Sequence, residues 1–218
     1  MRLLALRSLS KSGDSPAFAD RFLDDTMAIV EQLDRGQVEA VVDVVAQTRA
    51  RGGRLFLCGS GGGAGHASHA ACDFRKLCDV EAYAVTDNVS ELTARINDEG
   101  WDSSYANWLR ASRLRSGDCL FLFSVGGGDV ERGVSVNLVE AMHYAHDQGA
   151  QVAGVAGRDG GELARIADAC VVIPTGDHGF VTPQTEGLQA VLWHLVVSHP
   201  KLAAAEAKWE SMTAPTTG

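Results

Sequence analysis

The stretch LFLCGSGGGAGHASHAACD, residues 55–73, decides the fold of this chain. It opens as an apolar run with strand character, turns through clustered glycines, and continues long enough to form a helix. A buried strand that ends in glycine and feeds a helix is the opening half of a parallel βαβ unit. Further on, LFLFSVGGGD, residues 120–129, repeats the pattern. Only the first copy carries histidines, His66 and His69, with Asp73 one turn beyond.

Working outward, short apolar runs bounded by turn residues cover 54–60, 80–86, 118–125, 151–157 and 169–175. Between them the period becomes helical. It is clearest at Val134, Leu138, Ala141, Met142 and Ala145, with Gly149 placed as the C-terminal cap. Strands alternating with helices predict a parallel sheet covered on both faces, and the near-continuous apolar strands fit that burial. Ahead of the first strand, Ser15-Pro16 predicts a helix start, and Phe18, Phe22, Ile29 and Leu33 share one broad face. Arg35-Gly36 reads as a break, and residues 37–51 as a second helix ending at Gly52-Gly53. These two helices are expected to cover a sheet face or to pack against another subunit. The end, TAPTTG, reads as a disordered tail.

The chain has 218 residues, 45% hydrophobic and 22% charged, which suits one soluble α/β domain with its own core. Nineteen Lys plus Arg stand against 28 Asp plus Glu, a formal charge of −9. That balance argues against direct nucleic-acid binding, which needs a basic surface to displace counterions. The five cysteines include no CxxC pair, and Cys58, Cys119 and Cys170 sit in strand runs as small hydrophobes. A reduced, cytoplasmic chain without zinc on cysteine is expected. The opening MRLLALRSLSKSG has only LLAL between arginines, too short for a signal sequence. No run approaches the ~18 apolar residues of a membrane span.

Ligands of parallel sheets bind beyond the carboxyl ends of the strands, where both glycine clusters fall. Glycine lets the backbone approach an anion, and the following helix points its N–H groups at it. The repeat therefore predicts two strand–loop–helix units facing one crevice, a site for a sugar phosphate or nucleotide. Gly59, Gly61 and Ala64 satisfy GxGxxG/A, and Asp87 could serve a ribose. A dinucleotide helix, however, wants apolar packing residues where His66, His69 and Asp73 stand. His69 and Asp73 share a helix face, a spacing at which two side chains can hold one metal or one substrate. In the last helical run, FVTPQTEGLQAVLWHLVV, His194 interrupts apolar residues. It reads either as a core histidine bonded to a backbone carbonyl or, with Glu186, as the other half of a site.

Assembled, these features resemble the sugar isomerase (SIS) family, most closely its phosphoheptose isomerase branch, over residues 16–198. LTARINDEGWD and AGRDGGELARIADACVVIP carry the most specific likeness, beside the two glycine loops and QTEGLQAVLWH. The resemblance implies a three-layer α/β/α sandwich on a five-stranded parallel, flavodoxin-like sheet. It also implies a homotetramer built partly through N-terminal helices, with sites shared between subunits. By the same likeness, substrate contacts fall on Ser60, Gly61, Gly62, Asp73, Asn97, Asp98, Ser124, Val125, Gly126, Asp129 and Glu186. A divalent metal, expected to be zinc, falls on His69, Asp73, Glu186 and His194. The chain departs from the family pattern at several positions. Aspartate replaces the catalytic glutamate at Asp73, Gly63 replaces a serine, and the second loop loses most of its hydroxyls.

The activity implied is aldose–ketose isomerisation of a sugar phosphate through an enediol, with Asp73 as base and His194 as the acid partner. A second class remains open at this point, a non-catalytic SIS tetramer that binds sugar phosphates or a protein partner. Asp129 reads as a repulsive neighbour of a phosphate or as the N-cap of its own helix. Eight residues separate Glu186 from His194, about 12 Å of helix, so sharing one ion needs a bent or frayed helix start. The expected organisation is a tail over 1–15, one domain over 16–200 with its N-terminal helices at 16–52, and a tail over 201–218.

Overall fold

The computed structural model describes residues 17–213, so Ser15, Pro16 and the last five residues lie outside the described residues. The sheet contains β1 (Leu55–Gly59), β2 (Ala82–Ala84), β3 (Cys119–Ser124), β4 (Gln151–Ala156) and β5 (Ala169–Val172). All neighbours are parallel, in the order β2-β1-β3-β4-β5. Each strand falls inside one of the apolar runs.

Side chains alternate between the two faces of the sheet, and helices cover both. Leu55, Leu57, Phe121, Phe123 and Val155 pack with α2 (Arg35–Ala50), α3 (Gly62–Cys78) and α8 (Val181–Ser198). Phe56, Cys58, Leu120, Leu122 and Val152 pack with α5 (Ser104–Ala111), α6 (Val136–Asp147) and α7 (Gly161–Ile166). The result is the expected three-layer, flavodoxin-like sandwich. Its strand order reverses between β1 and β3, and Gly59 lies opposite Phe123 in the register. The two glycine loops therefore emerge side by side at the switch point, where this architecture opens its crevice.

Three local features differ from the sequence reading. The break between α1 (Phe18–Gln32) and α2 is set by Asp34, not Arg35-Gly36. Its carboxylate accepts from the N–H groups of Gly36 at 2.8 Å and Gln37 at 3.3 Å, so Arg35 and Gly36 already belong to the helix. In α1, Ile29 is buried and Leu33 packs against the core, whereas Phe18, Leu23, Met27 and Val30 are exposed. Packing also continues past residue 200: Arg49 donates to the carbonyls of Lys201 and Leu202, and Ala204 N–H donates to Leu77 O. A short α9 follows, Lys208–Thr213.

Candidate active site

The first glycine loop turns on Gly61, whose φ of 58° lies in the left-handed region. Close approach explains its neighbours. A Cβ at Gly63 would stand 2.5 Å from the Phe123 carbonyl oxygen, and one at Gly62 would stand 2.6 Å from the Glu186 carboxylate. The loop thus lies between β3 and α8, and the serine that the family pattern places at residue 63 has no room. Beneath it, the Tyr105 hydroxyl donates to Gly59 O at 2.9 Å, and Asn137 Nδ2 approaches Ser60 Oγ at 3.4 Å. Burial pushes the Tyr105 hydroxyl up to about 12. Asn137 is fully buried and its Oδ1 has no partner among the described residues. The sequence reading missed this knot. Its one signal was an asparagine and a tyrosine amid apolar helix positions.

One helical turn of α3 separates His69 from Asp73, and α8 brings His194 against them. His69 Nε2 and His194 Nε2 stand 3.9 Å and 4.0 Å from Asp73 Oδ2. The two imidazole rings are perpendicular, 5.6 Å between centroids. Ligand atoms of all three residues lie within 4.8 Å of one another. The His194 Nδ1 sits 2.7 Å from Ala190 O. A carbonyl can only accept, so Nδ1 carries the proton and Nε2 faces Asp73. His194 is exposed and so is no core histidine, although it bonds a backbone carbonyl; its other nitrogen lies beside Asp73, without Glu186. Buried Trp193 packs edge-on to His69 at 4.8 Å and stacks on His194. The Asp73 side chain is 18% exposed against 62% for His69 and 51% for His194, so the carboxylate sits deeper than the rings that flank it.

The expected four-residue metal set is divided. Among the described residues, Glu186 is not part of the convergent group. Because α8 is helical from Val181 to Ser198, the bend that would bring Glu186 down to His194 is absent. Glu186 lies instead over Gly62 and beside His66, lining a cavity with Gly65, Pro183, Gly187 and Ala190. Burial holds the His66 imidazole below its ordinary range, against the Glu186 carbonyl and carboxylate, which favour its charged form. Asn97 and Asp98 stand exposed near the end of α4 (Val89–Glu99), bonded to each other at 2.7 Å. The chain's own fold does not place them in the cluster.

In the second loop, Gly127 takes a φ of 74°, and its N–H donates to Ser124 Oγ at 3.0 Å. The carbonyls of Gly127 and Gly128 accept from Leu163 and Glu162 at the start of α7. Ser124 is thus a buried pin of this loop. Asp129 does not open α6. It forms an antiparallel bridge with Val134, and its carboxylate accepts from Arg132 N–H at 3.1 Å. The expectation that Asp129 is a helix N-cap fails because a tight turn intervenes and Ser135 takes the N-cap position of α6. Arg158, which the sequence reading passed over, lies beside Gly126.

The SIS domain family profile matches residues 18–157. The chain belongs to the SIS domain family. It is 34% identical over 188 residues to the lincomycin biosynthesis protein LmbN of Streptomyces lincolnensis, covering 81% of this chain and 66% of that one. It is 32% identical over 163 residues to a phosphoheptose isomerase of Rhodospirillum rubrum, covering 72% and 80%. Phosphoheptose isomerase GmhA from Neisseria gonorrhoeae superposes with a TM-score of 0.72 at 25% identity, over 82% of this chain and 95% of that one. The SIS fold predicted from the glycine loops and the two specific segments is therefore the fold observed.

Proposed function

We propose that this SIS chain is a sugar-phosphate aldose–ketose isomerase acting on a phosphoheptose-like substrate. The carrying observation is a half-buried carboxylate, Asp73, flanked by two imidazole nitrogens on the helix that follows the first glycine loop. Isomerisation needs a base that removes a proton from one carbon of a hydroxycarbonyl and returns it to the next. Asp73 fills that role. His194 stands on its other side: in its protonated form Nε2 presents a proton to a substrate oxygen, while Nδ1–H on Ala190 O keeps the ring oriented. Ser60, Gly61, Gly62 and Glu186 line the path of the sugar hydroxyls.

Two imidazoles and a carboxylate also fit a divalent metal, with zinc the chemistry they suit best. His69, Asp73 and His194 would hold it, with Glu186 outside the set, and it would polarise the carbonyl and the developing enediolate. The exposure of both histidines supports an assembly in which another copy covers the site. In that arrangement the Asn97–Asp98 pair on α4, which has no buried residue, serves a neighbouring copy. The five free cysteines support a reducing, cytoplasmic setting. No helix among the described residues is long and apolar enough to cross a membrane.

Deuterium exchange tests this reading. A phosphoheptose incubated with the protein in D2O should acquire deuterium at C1 or C2 as ketose and aldose interconvert. Asp73→Asn should lower the rate at least about 100-fold. Metal analysis on the same samples should show His69→Ala and His194→Ala losing a divalent ion that the parent protein retains. Exchange that persists in Asp73→Asn would remove Asp73 from the chemistry.

A further inference from the structure

A second cavity, of about 590 Å³, opens beyond the second glycine loop, lined by Val125, Arg158, Asp159, Thr175, His178 and Thr182 among others. Its guanidinium is free. Arg158 makes no hydrogen bond or ion pair among the described residues, in a chain whose net charge is −9. Nearby acids are turned elsewhere: Asp159 accepts from Gly161 N–H and acts on Arg165. Asp177 pairs with Arg21 at 3.1 Å and accepts from Gly179 N–H. The hydroxyls of Thr175 and Thr182 likewise have no partner among the described residues.

Arg158 is also strained. Its φ of 56° is one of four positive values among the described non-glycine residues. Such a backbone normally belongs to glycine, and an arginine kept there points to a task for the side chain. Two contacts impose the position. Gly157 N–H donates to Val125 O, and a Cβ at Gly157 would collide with Thr185. The side chain then runs along the loop, its Cδ 3.8 Å from where a Cβ of Gly126 would stand.

Between Thr182 at this cavity and His194 beside Asp73, α8 lines a further groove. Along α8, Ala190, Glu186, Gly187 and Pro183 face Gly62, Gly65 and His66 across a groove. Twelve residues, about 18 Å of helix, separate His194 from Thr182. His194 leans back toward the helix start, as helical side chains do. We propose that Arg158, with Thr175, Thr182 and His178, holds the phosphate of a long-chain sugar phosphate whose carbonyl end lies at Asp73. Val125, Gly126 and Gly128 supply no hydroxyl, and a guanidinium replaces them with a charged fork suited to a phosphate. The proposal deepens the isomerase reading and rests on it only for which molecule carries the phosphate.

Calorimetric titration of the full-length protein with inorganic phosphate tests the site without turnover. Arg158→Ala should weaken phosphate binding about tenfold or more, and Arg158→Lys by a smaller factor. Arg158→Gly should lose affinity like the alanine variant while melting no lower than the parent, because glycine relieves the backbone. Unchanged phosphate affinity in Arg158→Ala would overturn the proposal. A second titration uses a phosphoheptose and the same heptose without phosphate. Inorganic phosphate should raise the apparent Kd of the first and leave the second unaffected. Phosphate that binds through Arg158 but does not compete with the phosphoheptose would overturn the assignment to substrate and mark a separate anion site. If the phosphoheptose binds as stated but no deuterium exchange occurs, the isomerase reading fails and the phosphate site stands.

Discussion

Gly63 shows how one residue can tie the site to the sheet. Its missing side chain lets α3 lie directly against the Phe123 carbonyl, and this approach sets the height of His69 and Asp73 above the sheet. Restoring the serine of the family pattern at this position would insert a Cβ 2.5 Å from a backbone oxygen. Gly63→Ser should therefore cost about 1–3 kcal/mol, read as a lower denaturant midpoint at constant m-value. Asp73 belongs to the same geometry. A carboxylate one methylene shorter than glutamate still brings its oxygen to 3.9 Å and 4.0 Å from the two imidazole nitrogens. That histidine and aspartate would meet was legible, because a spacing of four is a helix property. That Glu186 would not join them was not, because it depends on how straight α8 is.

Asp118 anchors the opposite end of the sheet from the ligand loops. It is fully buried just before β3, and it accepts from Arg54 N–H at 2.9 Å, from the Arg54 guanidinium at 2.7 Å and from Arg115 N–H at 3.0 Å. These bonds hold the start of β3 beside the segment entering β1, and the register they set carries both glycine loops to the crevice. The Arg54 guanidinium also donates to the carbonyls of Ser112 and Arg113, so removing Asp118 takes away its ion-pair partner and leaves neutral acceptors. Asp118→Ala should destabilise the fold by about 3–5 kcal/mol, whereas Asp118→Asn, which keeps acceptor capacity for the backbone N–H groups, should cost less. Equilibrium urea unfolding of both variants measures the difference. At this scale every strand was readable as an apolar run. The start of α6 was not, because the Asp129–Val134 bridge is a pairing between residues that carry no strand pattern.

At the scale of the whole molecule, two helices each expose several apolar side chains among the described residues. Leu23, Met27 and Val30 are 60%, 54% and 42% exposed on α1, and Val191 and Leu195 are 54% and 43% exposed on α8. Of the face named from sequence, Ile29 and Leu33 pack into the chain's own core, Phe22 is half-buried against Phe180, and Phe18 is exposed. The adjoining stripe is the one left for a partner. A second copy of the chain is the expected occupant, in a homo-oligomer that we expect to be a tetramer. Light scattering should give a mass of several chains at micromolar concentration, and Leu23→Asp with Met27→Asp should reduce it to that of a monomer. A monomeric parent protein would reject the assembly.

What the sequence determined by itself was the periodic part of the structure. Strands, helices, the two glycine loops and the family likeness all rest on residues close in the chain, where apolar period and turn chemistry act locally. What only the tertiary structure decided was which distant groups meet. His194 reaches Asp73, Glu186 turns to His66, and Arg158 stands beside the second loop because α8 crosses the carboxyl edge of a sheet whose order reverses between β1 and β3. Such meetings depend on the register of strands and the line of a helix, long-range quantities that no local pattern encodes. The same holds for Arg158. Its place beside the second loop is set through Gly157, which donates to Val125 O and packs on Thr185, contacts between residues far apart in the chain that only the folded molecule creates.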